Sequence, residues 1–233
     1  MSKDSREEVL RQIRKGLYGS NDRKASPKLD HDRPEQSSIR IPSEFQSSKS
    51  ILTGQFIEEL RKISGNADVI ENEEAIKDFI LRLILDRSSN SFAIWESDLI
   101  RTLNLREALQ DKGLKAAALN DKEEMAEADI GITEADFAIA DSGTLVLIAN
   151  ERQPRSVSLI PPVHIAILKS TKIVANIHDL FAHLTNSVAE MGSINDLSSC
   201  VTFITGPSRT ADIELNLTLG VHGPREILVL VYP

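Results

Sequence analysis

Residues 91–119, SFAIWESDLIRTLNLREALQDKGLKAAAL, decide the fold class. Ser91 to Trp95 is a short apolar run that reads as a strand. The residues after it are helical in spacing to about Lys112, and Leu114 to Leu119 reads as a second strand. Strand, helix and strand in succession make the βαβ unit that builds parallel sheets. The same rhythm continues on both sides. Upstream, Ile51, Leu52, Phe56, Ile57, Leu60 and Ile63 recur at helical spacing with Gly65 as the stop, and Ala67-Asp-Val-Ile70 reads as a strand. Asn72 is placed to cap a helix with apolar positions at Ala75, Ile76, Phe79, Ile80, Leu83 and Ile84. Downstream, Asp121 to Ala128 reads as a short helix.

Past Ile130 the texture changes. Phe137 to Ala140, the turn Asp141-Ser-Gly143, and Thr144 to Ile148 read as a hairpin, so part of the sheet is expected to be antiparallel. His164 to Leu168, Lys172 to Val174, Val201 to Thr205 and Ile227 to Tyr232 are further strand candidates, with a helix near Ile177 to Ala189. The expected architecture is α/β, a mixed and mostly parallel sheet flanked by helices.

Composition narrows the function. The chain has 233 residues, 27 Lys+Arg against 35 Asp+Glu, and a net charge of −8. That balance argues against nucleic acid as a partner, since phosphate backbones attract a surplus of Lys and Arg. No stretch approaches the ~20 apolar residues of a membrane span, and a cytoplasmic protein is expected. Cys200 is the single cysteine, so neither an internal disulfide nor a thiolate iron–sulfur cluster can be built from this chain alone.

The charge is unevenly placed. Residues 1–50 carry 11 Lys+Arg against 8 Asp+Glu, or +3, and the remainder carry 16 against 27, or −11. Within the basic segment, Ser5 and Glu8 make a capping box, and Val9, Leu10, Ile13 and Leu17 share one helical face. The chain from about Ser20 to Ser50 is polar and interrupted by Pro27, Pro34 and Pro42, which reads as a linker. Residues 1–50 are therefore read as a flexible helical arm, either a frayed terminus or a docking element, and 51–233 as the folded domain.

Several chemistries are excluded by absence of motif. There is no G-x-G-x-x-G, no Walker A run and no G-x-S-x-G elbow. His178 and His183 are five apart, roughly 140° around a helix of ~3.6 residues per turn, so they do not form a metal-binding pair; no metal site is expected.

Polar residues crowd beside strand ends in three places. In Thr205-Gly206-Pro207-Ser208-Arg209-Thr210-Ala211-Asp212-Ile213-Glu214, a glycine turn, two hydroxyls and a guanidinium suit a carboxylate or phosphate. The alternative is a capped turn in which Arg209 pairs with Asp212 or Glu214. In Gly220-Val221-His222-Gly223-Pro224-Arg225, two glycines bend the chain around an imidazole suited to acid–base work, or the histidine is incidental to a tight turn. Glu134 and Asp136, ahead of Asp141-Ser142-Gly143-Thr144, lie two apart and face one side of an extended chain, as an acid–base pair or as a solvated strand edge. Arg152, Arg155 and His164, around Pro161-Pro162, are further candidate ligand contacts.

Four segments taken in order, Gly131 to Leu145, Ser158-Leu-Ile-Pro-Pro-Val-His164, Thr205 to Glu214 and Gly220-Val-His-Gly-Pro224, closely resemble the LUD-domain proteins, specifically the lactate utilization protein C family. The likeness extends from about Ile51 to the C-terminus, and the basic leader is also similar. The resemblance implies a fold like that of ribose-5-phosphate isomerase, glucosamine-phosphate deaminase and the CoA transferases. It further implies a place in a three-protein system oxidising L-lactate to pyruvate, with iron–sulfur clusters in cysteine-rich partners and no cofactor in this chain. On that reading Gly206, Ser208, Arg209, Thr210 and Asp212, with Gly143, Thr144 and His164, bind a small carboxylate or phosphate. His222, Asp136 and Glu134 then serve proton transfer. The competing reading is a stand-alone enzyme or sensor for a phosphorylated metabolite or acyl-CoA.

Overall fold

A computed structural model describes residues 45–191, 200–211, 217–219 and 222–233. The arm helix read over Val9 to Leu17 and most of the linker lie outside them. The first described helix, α1, runs Phe45–Lys62, so the last six residues of the expected linker are helical. Phe56 and Leu60 are fully buried and anchor α1 to the core. Its end is a two-bond cap. Ser64 takes the left-handed conformation at φ 66°, its N–H donates to Arg61 O, and the Gly65 N–H donates to Leu60 O at 2.9 Å. A Cβ on Gly65 would stand 2.4 Å from Leu60 Cδ1, which is why the residue after the left-handed position is the glycine.

The chain then builds β1 (Asn66–Val69), α2 (Glu73–Asp86) and β2 (Ser91–Ile94). As expected, Asn72 caps α2, its Oδ1 accepting the Ala75 N–H at 2.9 Å. Ile76, Ile80 and Ile84 are buried along one face of α2, each worth roughly 1.5–3 kcal/mol of burial. The stretch read as one helix to Lys112 is two, α3 (Asp98–Thr102) and α4 (Leu105–Asp111), because Asn104 between them is left-handed at φ 47°. The Leu114–Leu119 strand shrinks to β3 (Lys115–Ala116), followed by α5 (Lys122–Ala126). A strand the sequence reading passed over, β4 (Ile130–Glu134), comes next.

After β4 the chain leaves for a second layer. It forms β5 (Phe137–Ile139) and β6 (Thr144–Ala149), the expected hairpin, then α6 (Ser156–Leu159) and β7 (Val163–Lys169). A single 3₁₀ turn leads to β8 (Ile173–Val174), and α7 (Ile177–Met191), β9 (Cys200–Ile204), β10 (Arg209–Ala211), β11 (Leu217–Leu219) and β12 (Glu226–Tyr232) follow.

The six-stranded sheet has the order β1-β12-β7-β4-β2-β3, and every pair in it is parallel. The antiparallel pairing predicted from the hairpin sits instead in a four-stranded sheet, β8-β5-β6-β9. Strands β7 and β12 are buried over most of their length, which is why they read as unbroken apolar runs rather than alternating ones. Their core is mainly Ile, Val, Leu and Ala, with Phe56, Phe92, Trp95 and Tyr232 as its buried aromatics among the described residues. Among the described residues, no helix is long and apolar enough to cross a membrane.

Candidate functional site

The parallel sheet separates two polar regions, one at the amino edge of its strands and one at the carboxyl edge. At the amino edge the glycine-bearing segments converge on the C-terminus of α1. Gly143 turns the β5–β6 hairpin at φ 61°, and a Cβ there would lie 2.4 Å from Leu60 N. Gly206, at φ 79°, comes so close that a Cβ would sit 2.7 Å from Ile63 O. Thr144 and Thr205 share a hydroxyl hydrogen bond of 2.9 Å between the two turns.

The loop after β9 is fastened to the loop before β12. The Ser208 N–H donates to Pro224 O at 2.8 Å, and a Cβ on Gly223 would meet Ser208 Cβ at 3.2 Å. Arg225 N–H in turn donates to Pro162 O at 2.8 Å. The Arg209 guanidinium donates to Ile63 O, the carbonyl at the end of α1, where a cation complements the helix dipole. Asp212 and Glu214, the alternative partners read for Arg209, lie outside the described residues. Of the groups read as open to an anion, the two glycines pack against backbone, the Ser208 N–H donates to a carbonyl and one guanidinium nitrogen of Arg209 donates to a helix end. Thr210 pairs with Thr218 in the β10–β11 ladder, and Asp212 lies outside the described residues. His222 is exposed on the same loop.

His164 is also near the amino edge, but inside the sheet. It is fully buried in β7 beside Gly131 of β4 and Ile227 of β12. Its Nε2 is 2.9 Å from Thr133 Oγ1, and Nδ1 has no partner among the described residues. Burial pushes the imidazole down to about 4, so the ring is neutral at physiological pH. Gly131 clears the way for α6: a Cβ there would be 1.9 Å from Val157 O.

The carboxylate pair occupies the opposite edge. Glu134 ends β4 and pairs with Lys172 Nζ at 3.1 Å. Asp136 accepts the Ile148 N–H at 2.7 Å, and burial pushes its carboxyl up against the opposing pull of that hydrogen bond and of Lys172. Lys169 and Tyr232, paired across β7 and β12, complete the group, with the Lys169 ammonium 5.7 Å from the ring centroid and 3.9 Å from Glu73. Burial, with Glu134 and Glu73 nearby, pushes the Tyr232 phenol up to about 12. A carboxyl held protonated to higher pH, beside a second carboxylate and an ammonium, can accept and return a proton.

The structure therefore divides the predicted site. Gly143, Thr144, Gly206, Ser208 and Arg209 come together with the loop that carries His222. Glu134 and Asp136 lie beyond the five residues of β4, roughly 15 Å away at ~3.3 Å per residue. The expected triad of His222, Asp136 and Glu134 is not assembled. Sequence reading missed Lys172, Lys169 and Tyr232; the signal for them is strand register, which brings the carboxyl ends of β4, β7 and β12 to one edge only once the sheet order is known.

A parallel α/β core with helices on it, a second sheet inserted after β4, and polar groups at both strand ends define the structural class. The LUD domain family model matches residues 53–232, and the chain belongs to that family. Lactate utilization protein C from an Exiguobacterium species is 30% identical over 245 residues, 98% of this chain and 96% of that protein. Lactate utilization protein C from Halalkalibacterium halodurans is 46% identical over 102 residues, a stretch spanning 44% of this chain and 43% of that protein. The chain thus spans less than half the length of some of the curated relatives it matches. A crystal structure of a DUF162 family protein from Deinococcus radiodurans shares the fold, with TM-score 0.55 and 20% identity over 79% of this chain and 98% of that one.

Proposed function

We propose that this chain is a component of an L-lactate utilization system that oxidises L-lactate to pyruvate, acting as a non-redox subunit beside cysteine-rich iron–sulfur partner proteins. The observation that carries this reading is the alignment over nearly the whole of both chains with the lactate utilization protein C of Exiguobacterium. Oxidising a 2-hydroxycarboxylate to a 2-oxocarboxylate releases two electrons and two protons. One cysteine in 233 residues gives this chain no thiolate set for a cluster, which supports placing the clusters of this system in partner proteins. Glu134, Asp136 and Lys172 are assigned one of the two protons, the other passing with the electrons to the partners; burial raises the Asp136 carboxyl above its usual range, as a proton acceptor requires.

The reading is tested by affinity purification of the tagged full chain from lactate-grown cells under anaerobic conditions. The expected result is a co-purifying fraction containing iron and acid-labile sulfide that reduces a dye with L-lactate. A chain that purifies without iron-containing partners and is inert toward L-lactate contradicts it. Turnover of a sugar phosphate or acyl-CoA by the isolated chain would favour a stand-alone enzyme.

A further inference from the structure

The strand order reverses beside β2. From β2 the chain runs outward to β3 at the sheet edge, whereas from β4, on the other side of β2, it departs toward β7. In open α/β sheets, ligands collect outside the carboxyl ends of strands at such a reversal. A cleft of about 500 Å³ opens beside that point, within the range of ~300–1,000 Å³ common for small-molecule sites. Its walls are Glu96 after β2, Ala117 to Asn120 after β3, Arg106 of α4, and the loop bearing Glu151, Arg152 and Pro154.

The loop over the cleft is a built element. Trp95 Nε1 donates to Pro154 O at 2.9 Å, the Glu96 N–H donates to Arg152 O at 3.2 Å, and the Arg152 N–H donates to Asn150 Oδ1 at 2.9 Å. These bonds fix the backbone on both sides of Arg152 while its guanidinium has no ion pair among the described residues. Arg106, half-buried, is steadied by one contact of 3.4 Å to Ile94 O, which leaves its other N–H groups to face a ligand. Two guanidinium forks on one cleft match a planar or tetrahedral oxyanion. Glu96 and Glu151, in the same walls, accept from hydroxyls.

We propose that this cleft is a binding site for a hydroxylated metabolite bearing a carboxylate or phosphate, with Arg106 and Arg152 holding the oxyanion and Glu96 and Glu151 its hydroxyl groups. The assignment is independent of the lactate role, since it rests on topology, volume and charge at a place that none of the glycine-bearing motifs reaches.

Isothermal titration of the full-length chain with 3-phosphoglycerate, inorganic phosphate and L-lactate separates the phosphoryl from the carboxylate source, with glycerol as the uncharged control. Saturable binding of at least one of the three anions is expected, and none of glycerol. Arg106→Gln and Arg152→Gln should each weaken that binding at least about tenfold, while Arg82→Gln, on α2, leaves it unchanged. Arg152 is exposed, so its variant should keep the wild-type melting temperature even if Arg106→Gln does not. No binding of any probe at millimolar concentration overturns the assignment. So does binding that survives Arg152→Gln in a folded protein.

Discussion

His164 shows what a single residue contributes when its surroundings are apolar. The ring is enclosed on the sheet, bonded among the described residues to Thr133 alone, and burial pushes its imidazole down to about 4 from 6.5. Unfolding frees it to take up a proton anywhere between those values, so the unfolded chain binds more protons and stability rises with pH across that window. The contribution is complete above about pH 6.5 and is lost as pH falls toward 4. It is about 3 kcal/mol at about 1.4 kcal/mol per pH unit. Urea unfolding of the wild type and of His164→Gln at pH 7 and pH 4.5 isolates it from the carboxylates common to both. The wild type should lose about 2–3 kcal/mol more than the variant over that interval; parallel losses would refute the buried-neutral assignment. The sequence singled out His164 for its place beside Pro161-Pro162. That its side chain lies inside the sheet depends on Gly131 and Ile227 arriving on either side, which no local pattern states.

Among elements, the contact between α1 and the β5–β6 hairpin is the one the glycines reveal. Gly113 and Gly143 both have positive φ, yet a Cβ on Gly113 meets nothing within 4 Å while one on Gly143 strikes the α1 backbone. Gly113→Ala should therefore cost only the left-handed strain of about 1–2 kcal/mol, and Gly143→Ala distinctly more. Chemical denaturation of the two variants measures the difference, and equal losses would mean that α1 yields at no cost. The same contrast explains what could be read in advance. Glycine turns were visible at 143, 206 and 223, but whether a glycine makes room for a ligand or for a neighbouring backbone is decided by distant chain. The helix–strand rhythm from Ile51 to Ala128 was legible because it rests on local spacing and on caps such as Asn72. Strand β4 was missed because Gly131 and Thr133 interrupt its apolar run, a glycine needed by α6 and a threonine bonded to His164.

At the scale of the whole molecule, a parallel sheet has two ends with different chemistry, and this chain places different groups at each. At the amino edge the described residues of the most specific motifs make backbone contacts that join α1, the hairpin and the loop before β12. The carboxyl edge holds Glu134, Asp136, Lys169, Lys172, Tyr232 and the cleft. The α/β class and the family were legible in the sequence. The division of the predicted site was not, because Glu134 ends β4 while His222 precedes β12, and only the parallel pairing of both strands with β7 puts those positions at opposite edges. Growth of a deletion strain on L-lactate as sole carbon source tests the central claim most directly. Growth should be lost on L-lactate but not on a sugar, and restored by the wild-type gene but not by an equally abundant Asp136→Asn protein. A strain lacking the gene and any second copy of it that still grows normally on L-lactate would contradict the account.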